Sequence, residues 1–139
     1  TALPIGKGEL LREGTDLLLC AIGSMVDPAL RTAESLAAEG IACAVINARF
    51  IKPLDADLVH GWARRCRAVV TLEEGCAPGG FGAAVAESLA DARLTLPLLR
   101  CAVPDHLVHH GDPKRLLDEE GLSLGALLPR LREFHRTLK

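Results

Sequence analysis

Six apolar residues in a row, Leu17 to Ile22, lie between Asp16 and Gly23 and fit a strand buried on both faces. The same character returns at Ile41 to Ile46 (IACAVI), at Ala68 to Leu72 (AVVTL) and, interrupted by Pro97 and Arg100, at Leu96 to Val103. A short candidate strand, Glu9 to Leu11, stands between glycines ahead of them. Between the strands the apolar positions change to helical spacing. From Pro28 to Glu39, Ala29, Leu30, Ala33, Leu36 and Ala37 recur on one face. Pro28 suits the first turn, Ser24 or Asp27 the cap, and Gly40 the stop. Pro53 keeps Lys52 out of the helical region. Asp55 then predicts a capped helix to about Cys66, with Leu58, Val59, Trp62 and Ala63 on one face. Phe81 to Leu89 reads as a third helix. Asp105 to Asp112 reads as a loop or short turn, Pro113 to Glu119 as a short helix ended by Gly121. Ser123 onward is a last helix, with Leu124, Leu127, Leu128, Leu131, Phe134 and Leu138 on one side. Pro129 predicts a kink in it or a delayed start.

Apolar strands alternating with amphipathic helices imply a mainly parallel sheet covered on both faces, a three-layer α/β/α sandwich formed by residues 1–139 as one domain. Composition agrees. The 139 residues are 49% hydrophobic and 24% charged, which excludes a disordered chain. A chain of this size buries about two-thirds of its unfolded surface and needs neither metal nor disulfide to hold a core. Sixteen basic side chains against eighteen acidic ones, net charge −2, give no sign of a nucleic-acid binder. The only aromatic side chains are Trp62, Phe50, Phe81 and Phe134, too few for a base-stacking platform. No run approaches the eighteen apolar residues of a membrane helix, and the opening TALPIGKGELLREG lacks the layout of a secretory signal. The cysteines at 20, 43, 66, 76 and 101 are odd in number and widely spaced. They read as structural thiols in a reducing compartment, which makes the expected location cytoplasmic.

In an open parallel sheet, ligands favour the carboxyl ends of the strands. Four segments end there: Gly23-Ser24-Met25, Asn47-Ala48-Arg49, Glu73-Glu74-Gly75 and Pro104-Asp105-His106. They form a polar rim that is either a pocket or, as the pattern favours, a docking surface. The loop from Cys76 to Gly82 can offer successive N–H groups to an anion. Neither GxGxxG nor GxxxxGK[ST] is present, however, and Glu73 and Glu74 would repel a phosphate, so a tight strand-to-helix turn is the favoured reading. Glu73 and Glu74 point to opposite faces if both are in a strand, which suits a salt bridge or interfacial hydrogen bond better than a pair of acid–base catalysts. Arg49 and Lys52 are candidates to pair with these acids or with a substrate phosphate. His106, His109 and His110 with Asp105 and Asp112 make the one histidine-rich patch, without HExxH or other metal-ligand spacing, and ordinary loop contacts are the favoured reading. His60 and His135 fall on helices. Cys76 is the one cysteine placed for reactivity. Ser24 is not in a GxSxG elbow. The residues thus give a fold with a polar rim and no complete catalytic set.

The stretches LPIGKGELLREG, IGSMVDPAL, VINARFIKPLD, TLEEGCAPGGFGAAVAE, VPDHLVHHGDPKRLL and EEGL resemble the C-terminal domain of the 1-deoxy-D-xylulose-5-phosphate synthase family over essentially the whole chain. NARFIKPLD together with EEGCAPGGFG is specific; either alone marks only the wider transketolase C-terminal fold. The resemblance implies a five-stranded mixed sheet with one antiparallel strand, either Leu17 to Ile22 or the Glu9 to Leu11 segment. It implies a transferase of three domains, active as a homodimer. That enzyme decarboxylates pyruvate and joins the two-carbon fragment to D-glyceraldehyde 3-phosphate, for isoprenoid, thiamine and pyridoxal synthesis. Thiamine diphosphate and Mg2+ are held by the two preceding domains, so the residues here are expected to carry no cofactor and no catalysis alone. The partners implied are those domains and a second identical subunit, met through interface candidates Arg49, Phe50, Pro53, Glu73, Glu74, Gly79, Gly80, Phe81, Asp105, His109, His110 and Asp112. The alternative is a regulatory or small-anion-binding C-terminal module of another thiamine-diphosphate enzyme, a transketolase or a 2-oxoacid dehydrogenase beta subunit.

Overall fold

A computed structural model describes residues 4–76, 79–103 and 122–138. In chain order the elements are β1 (Glu9–Arg12), β2 (Leu17–Ala21), α1 (Val26–Ala37), β3 (Cys43–Asn47), α2 (Ala56–Ala63), β4 (Ala68–Cys76), α3 (Phe81–Asp91), β5 (Leu98–Val103) and α4 (Leu124–Arg136). The strands form one five-stranded sheet in the order β1-β3-β2-β4-β5. β2, β3, β4 and β5 pair in parallel, and β1 runs antiparallel to β3 with Glu9 opposite Asn47. The antiparallel strand is therefore the short segment that begins at Glu9, while Leu17–Ala21 occupies the sheet's centre.

That position explains the unbroken apolar run. All five β2 residues are buried, and they alternate between two cores. Leu17, Leu19 and Ala21 face α1 and α4, against Ala29, Ala33, Leu36, Leu127 and Leu131. Leu18 and Cys20 face α2 and α3, against Val59, Trp62, Ala63, Phe81, Val85 and Leu89. The sheet thus lies between two helical layers, as the alternation of apolar strands and amphipathic helices predicts.

Several boundaries differ from the pattern-based expectation. α1 begins two residues early, after a 3-10 turn at Gly23–Met25, and Met25 takes the cap position with no side-chain cap bond. Neither Ser24 nor Asp27 caps it; Asp27 instead pairs with Arg31 one turn on, at 3.0 Å. Gly40 ends the turn after α1 in a left-handed conformation, φ +81°. Asp55 does cap α2, accepting from Leu58 N at 3.2 Å, and α2 stops at Ala63. Pro129 lies inside α4, which starts directly after its cap Ser123, so the start is not delayed. The largest difference is β4. It runs past Leu72, where the apolar pattern ends, through Glu73, Glu74 and Gly75 to Cys76. The Asp105–Asp112 loop and the Pro113–Glu119 helix lie outside the described residues.

Cys20, Cys43, Cys66 and Cys101 are free thiols in the interior. Burial pushes Cys20 and Cys43 from 9.0 up to about 12 and Cys66 up to about 11, and it raises Cys101 as well. In the unfolded chain these groups lose their protons near 9, whereas the folded chain holds them to higher pH. Folding is therefore progressively disfavoured between pH 9 and about 12, and this contribution is neutral below that window. Denaturant titrations should show stability falling across it, with a shallower fall in Cys20→Ala. At pH 8 the four thiols should resist labelling in the native state and react on unfolding.

Candidate functional site

The carboxyl ends of the parallel strands meet at one end of the sheet, and Glu73 is the buried charged side chain there among the described residues. Val69, Thr71 and Glu73 alternate along β4 toward the α3 layer. Glu73 is only 2% exposed. Its Oε1 accepts the N–H of Phe81 at 2.8 Å and its Oε2 the N–H of Gly82 at 2.5 Å. These are orphan donors at the start of α3, and the cap residue Gly80 has no side chain to satisfy them. A carboxylate from the neighbouring strand takes that role, and its charge also suits the positive end of the helix dipole. Only glycine fits at position 82. A Cβ there would lie 2.8 Å from Thr71 Oγ1 and 3.1 Å from both Arg100 Nε and Glu73 Oε2. Thr71 and Arg100 are register partners across β4 and β5, and the buried Thr71 hydroxyl has no hydrogen-bond partner among the described residues.

Arg49 stands on the other side of the rim. Its backbone is left-handed, φ +62°, and its N–H donates to Asn47 Oδ1 at 3.2 Å. The guanidinium pairs with Glu9 of β1, not with Glu73 or Glu74. The strand order gives the reason. Arg49 follows β3, whose neighbours are β1 and β2, so β2 separates it from β4. Phe50 is half-buried; Pro53 is exposed and follows a cis peptide bond. Glu74 is exposed, on the face opposite Glu73, and Gly79 is exposed with φ +71°. Phe81 is fully buried in the α2–α3 core. His60 is tied within its layer, with Nε2 2.7 Å from Ser88 Oγ of α3. Asp105, His109, His110 and Asp112 lie outside the described residues, as does the side chain of Cys76.

The sequence between residues 6 and 126 matches the family model described as "Transketolase, C-terminal domain". The chain belongs to that family. This transketolase C-terminal domain is 60% identical over 114 residues to a 1-deoxy-D-xylulose-5-phosphate synthase of Parasynechococcus marenigrum (strain WH8102), an alignment covering 82% of this chain and 18% of that protein. It is 53% identical over 131 residues to the synthase of Synechococcus sp. (strain CC9605), covering 94% of this chain and 20% of that one. It thus spans about a fifth of the length of these curated relatives. Among solved structures it superimposes on a split-gene transketolase, described as an inactive beta4 tetramer, with a TM-score of 0.91 and 34% identity, over 100% of this chain and 45% of that one.

The start of α3 in this transketolase C-terminal domain does not fit a diphosphate. The N–H groups of Phe81 and Gly82 that a glycine-rich loop would offer to an anion are already held by Glu73. No group of three histidine, cysteine, aspartate or glutamate side chains that could hold a metal occurs among the described residues. Both carboxylate oxygens of Glu73 are engaged by backbone donors.

The pairing of Glu73 with α3 predicts a specific loss. Glu73→Gln turns an NH2 donor against one of the two N–H groups and should cost about 1–3 kcal/mol in urea unfolding followed by far-UV circular dichroism. Thr71→Val removes a buried hydroxyl that has no partner among the described residues, and the same measurement should find it neutral or stabilising.

Proposed function

We propose that this chain is the C-terminal module of a 1-deoxy-D-xylulose-5-phosphate synthase. The complete enzyme would condense pyruvate with D-glyceraldehyde 3-phosphate, releasing CO2. The identity of 60% over 114 residues to a protein of that name is the observation that carries this reading. It favours the synthase over a transketolase, for which the solved structural match stands at 34%. On this reading the module belongs to a three-domain polypeptide that works as a homodimer in the cytoplasm. Thiamine diphosphate and Mg2+ are bound by the other domains and supply the carbanion chemistry there. This chain contributes assembly. The self-capped α3 start supports the assignment, since its anion-binding N–H groups are already engaged by a carboxylate of the same chain. The inactive state named for the beta4 tetramer of the split-gene transketolase points the same way.

The interface candidates divide accordingly. Arg49, Glu73 and Phe81 hold the rim together from within, Phe50 and Gly80 are half-buried at it, and Glu74, Pro53 and Gly79 are exposed for contact. Asp105, His109, His110 and Asp112 complete the proposed interface by their place in the sequence.

Titration calorimetry tests the division of labour. Residues 1–139 should give no saturable heat with micromolar thiamine diphosphate and Mg2+, and should release no CO2 from pyruvate. The complete polypeptide that contains them should form 1-deoxy-D-xylulose 5-phosphate. Micromolar cofactor binding by the 139 residues alone would overturn the assignment.

A further inference from the structure

Asp55 serves two elements at once. Its Oδ1 accepts the N–H of Leu58 in the first turn of α2 at 3.2 Å. Its Oδ2 accepts the N–H of Gly8, 47 positions earlier in the chain, at 2.9 Å. Gly8 leads into β1, an edge strand that pairs with β3 alone and irregularly between Leu10 and Arg12. The contacts around this carboxylate join the same two segments. A Cβ on Gly8 would lie 2.9 Å from the Asn47 carbonyl oxygen and 3.2 Å from Leu58 Cδ2. Gly6, left-handed at φ +76°, sits so close to Pro53 that a Cβ would fall 2.7 Å from its Cγ. Leu10, Leu54 and Leu58 all pack on the α2–α3 core.

The residues on either side of Asp55 also form a wall of an open groove. Lys52, Leu54 and His60 line it together with Ala84, Ser88 and Asp91 of α3, around a space of about 510 Å³. His60 Nε2, 2.7 Å from Ser88 Oγ, joins the α2 wall to the α3 wall. Two donors thus fix one Asp55 rotamer, and the entropy lost in fixing it is shared between the two bonds. Groups in one hydrogen-bond network are energetically coupled, so releasing Gly8 weakens the cap on α2. Proteins open locally in such cooperative units, leaving the central strands closed.

We propose that Asp55 couples the seating of the segment before β1 to the closure of the α2–α3 groove, so that both open as one unit. The inference goes beyond the functional reading above and stands whatever reaction the complete enzyme performs. Hydrogen exchange on the complete polypeptide tests it. Gly6→Ala strains the segment before β1 without touching α2 itself. Amides of residues 7–12 should then exchange about tenfold faster, as for the loss of one hydrogen bond to a carboxylate, and those of Leu58, Val59 and His60 should follow by a similar factor. Amides of β2 and β4 should keep their rates. His60 should also react faster with diethyl pyrocarbonate as the groove opens. Asp55→Asn supplies the comparison. Asparagine caps a helix as well as aspartate does, but its amide has one acceptor oxygen and cannot hold both donors. In that background Gly6→Ala should still accelerate residues 7–12 and should change Leu58, Val59 and His60 no further. Acceleration of residues 7–12 with α2 unchanged, while Asp55 is in place, would overturn the proposal. Equal acceleration of α2 with and without Asp55→Asn would do the same. Should Gly6→Ala also accelerate β2 and β4, Glu9→Gln gives the milder strain, since it weakens the pair with Arg49. The same pattern at smaller size then supports the coupling. Rates at α2 that do not follow residues 7–12, or unchanged rates at residues 7–12 in both variants, count against it.

Discussion

A buried carboxylate and the buried start of a helix are each unfavourable alone, and here each resolves the other. Taking an uncompensated charge out of water is expensive, and so is leaving backbone N–H groups unpaired in the interior. Glu73 supplies two acceptor oxygens at the place where α3 has donors and its cap residue has no side chain. The arrangement fixes the far end of β4 to the first turn of α3. It also accounts for the absence of a side chain at Gly82, because the crowding of Thr71, Arg100 and Glu73 leaves no volume for one.

The overall architecture was legible because burial leaves strong periodic marks. The run from Leu17 to Ile22 fitted a strand covered on both sides, and Asp55 signalled the start of α2 by its residue type. The extension of β4 was not legible. Glu73-Glu74-Gly75 has low strand preference, and what holds Glu73 in the sheet is a helix that begins eight residues later. A trace of it was available in parity: Val69, Thr71 and Glu73 fall on the same side of a strand. The partner of Arg49 was hidden for another reason. Pairing it with Glu73 or Glu74 assumed that β3 and β4 are neighbours, whereas the strand order inserts β2 between them and brings Glu9 alongside. Strand order depends on long-range pairing, which residue types in one sequence record poorly.

The two sides of the rim are built on different principles. On the β4–β5 side, order comes from burial and from a carboxylate satisfying a helix. On the β1–β3 side it comes from close backbone approach, an exposed ion pair and a strained arginine. A residue other than glycine in the left-handed region costs roughly 1–2 kcal/mol. Arg49 tolerates it with its N–H on Asn47 Oδ1 and its side chain on Glu9.

Trp62 carries a practical consequence. The chain has one tryptophan and no tyrosine. That indole lies in the α2–α3 core, with the Arg65 guanidinium 4.2 Å from its ring centre. Ultraviolet emission therefore samples one helical layer and is modulated by one neighbouring cation. Loss of α4 from the opposite layer would leave that signal largely unaltered, so an optical melting curve taken at this chromophore describes half of the sandwich.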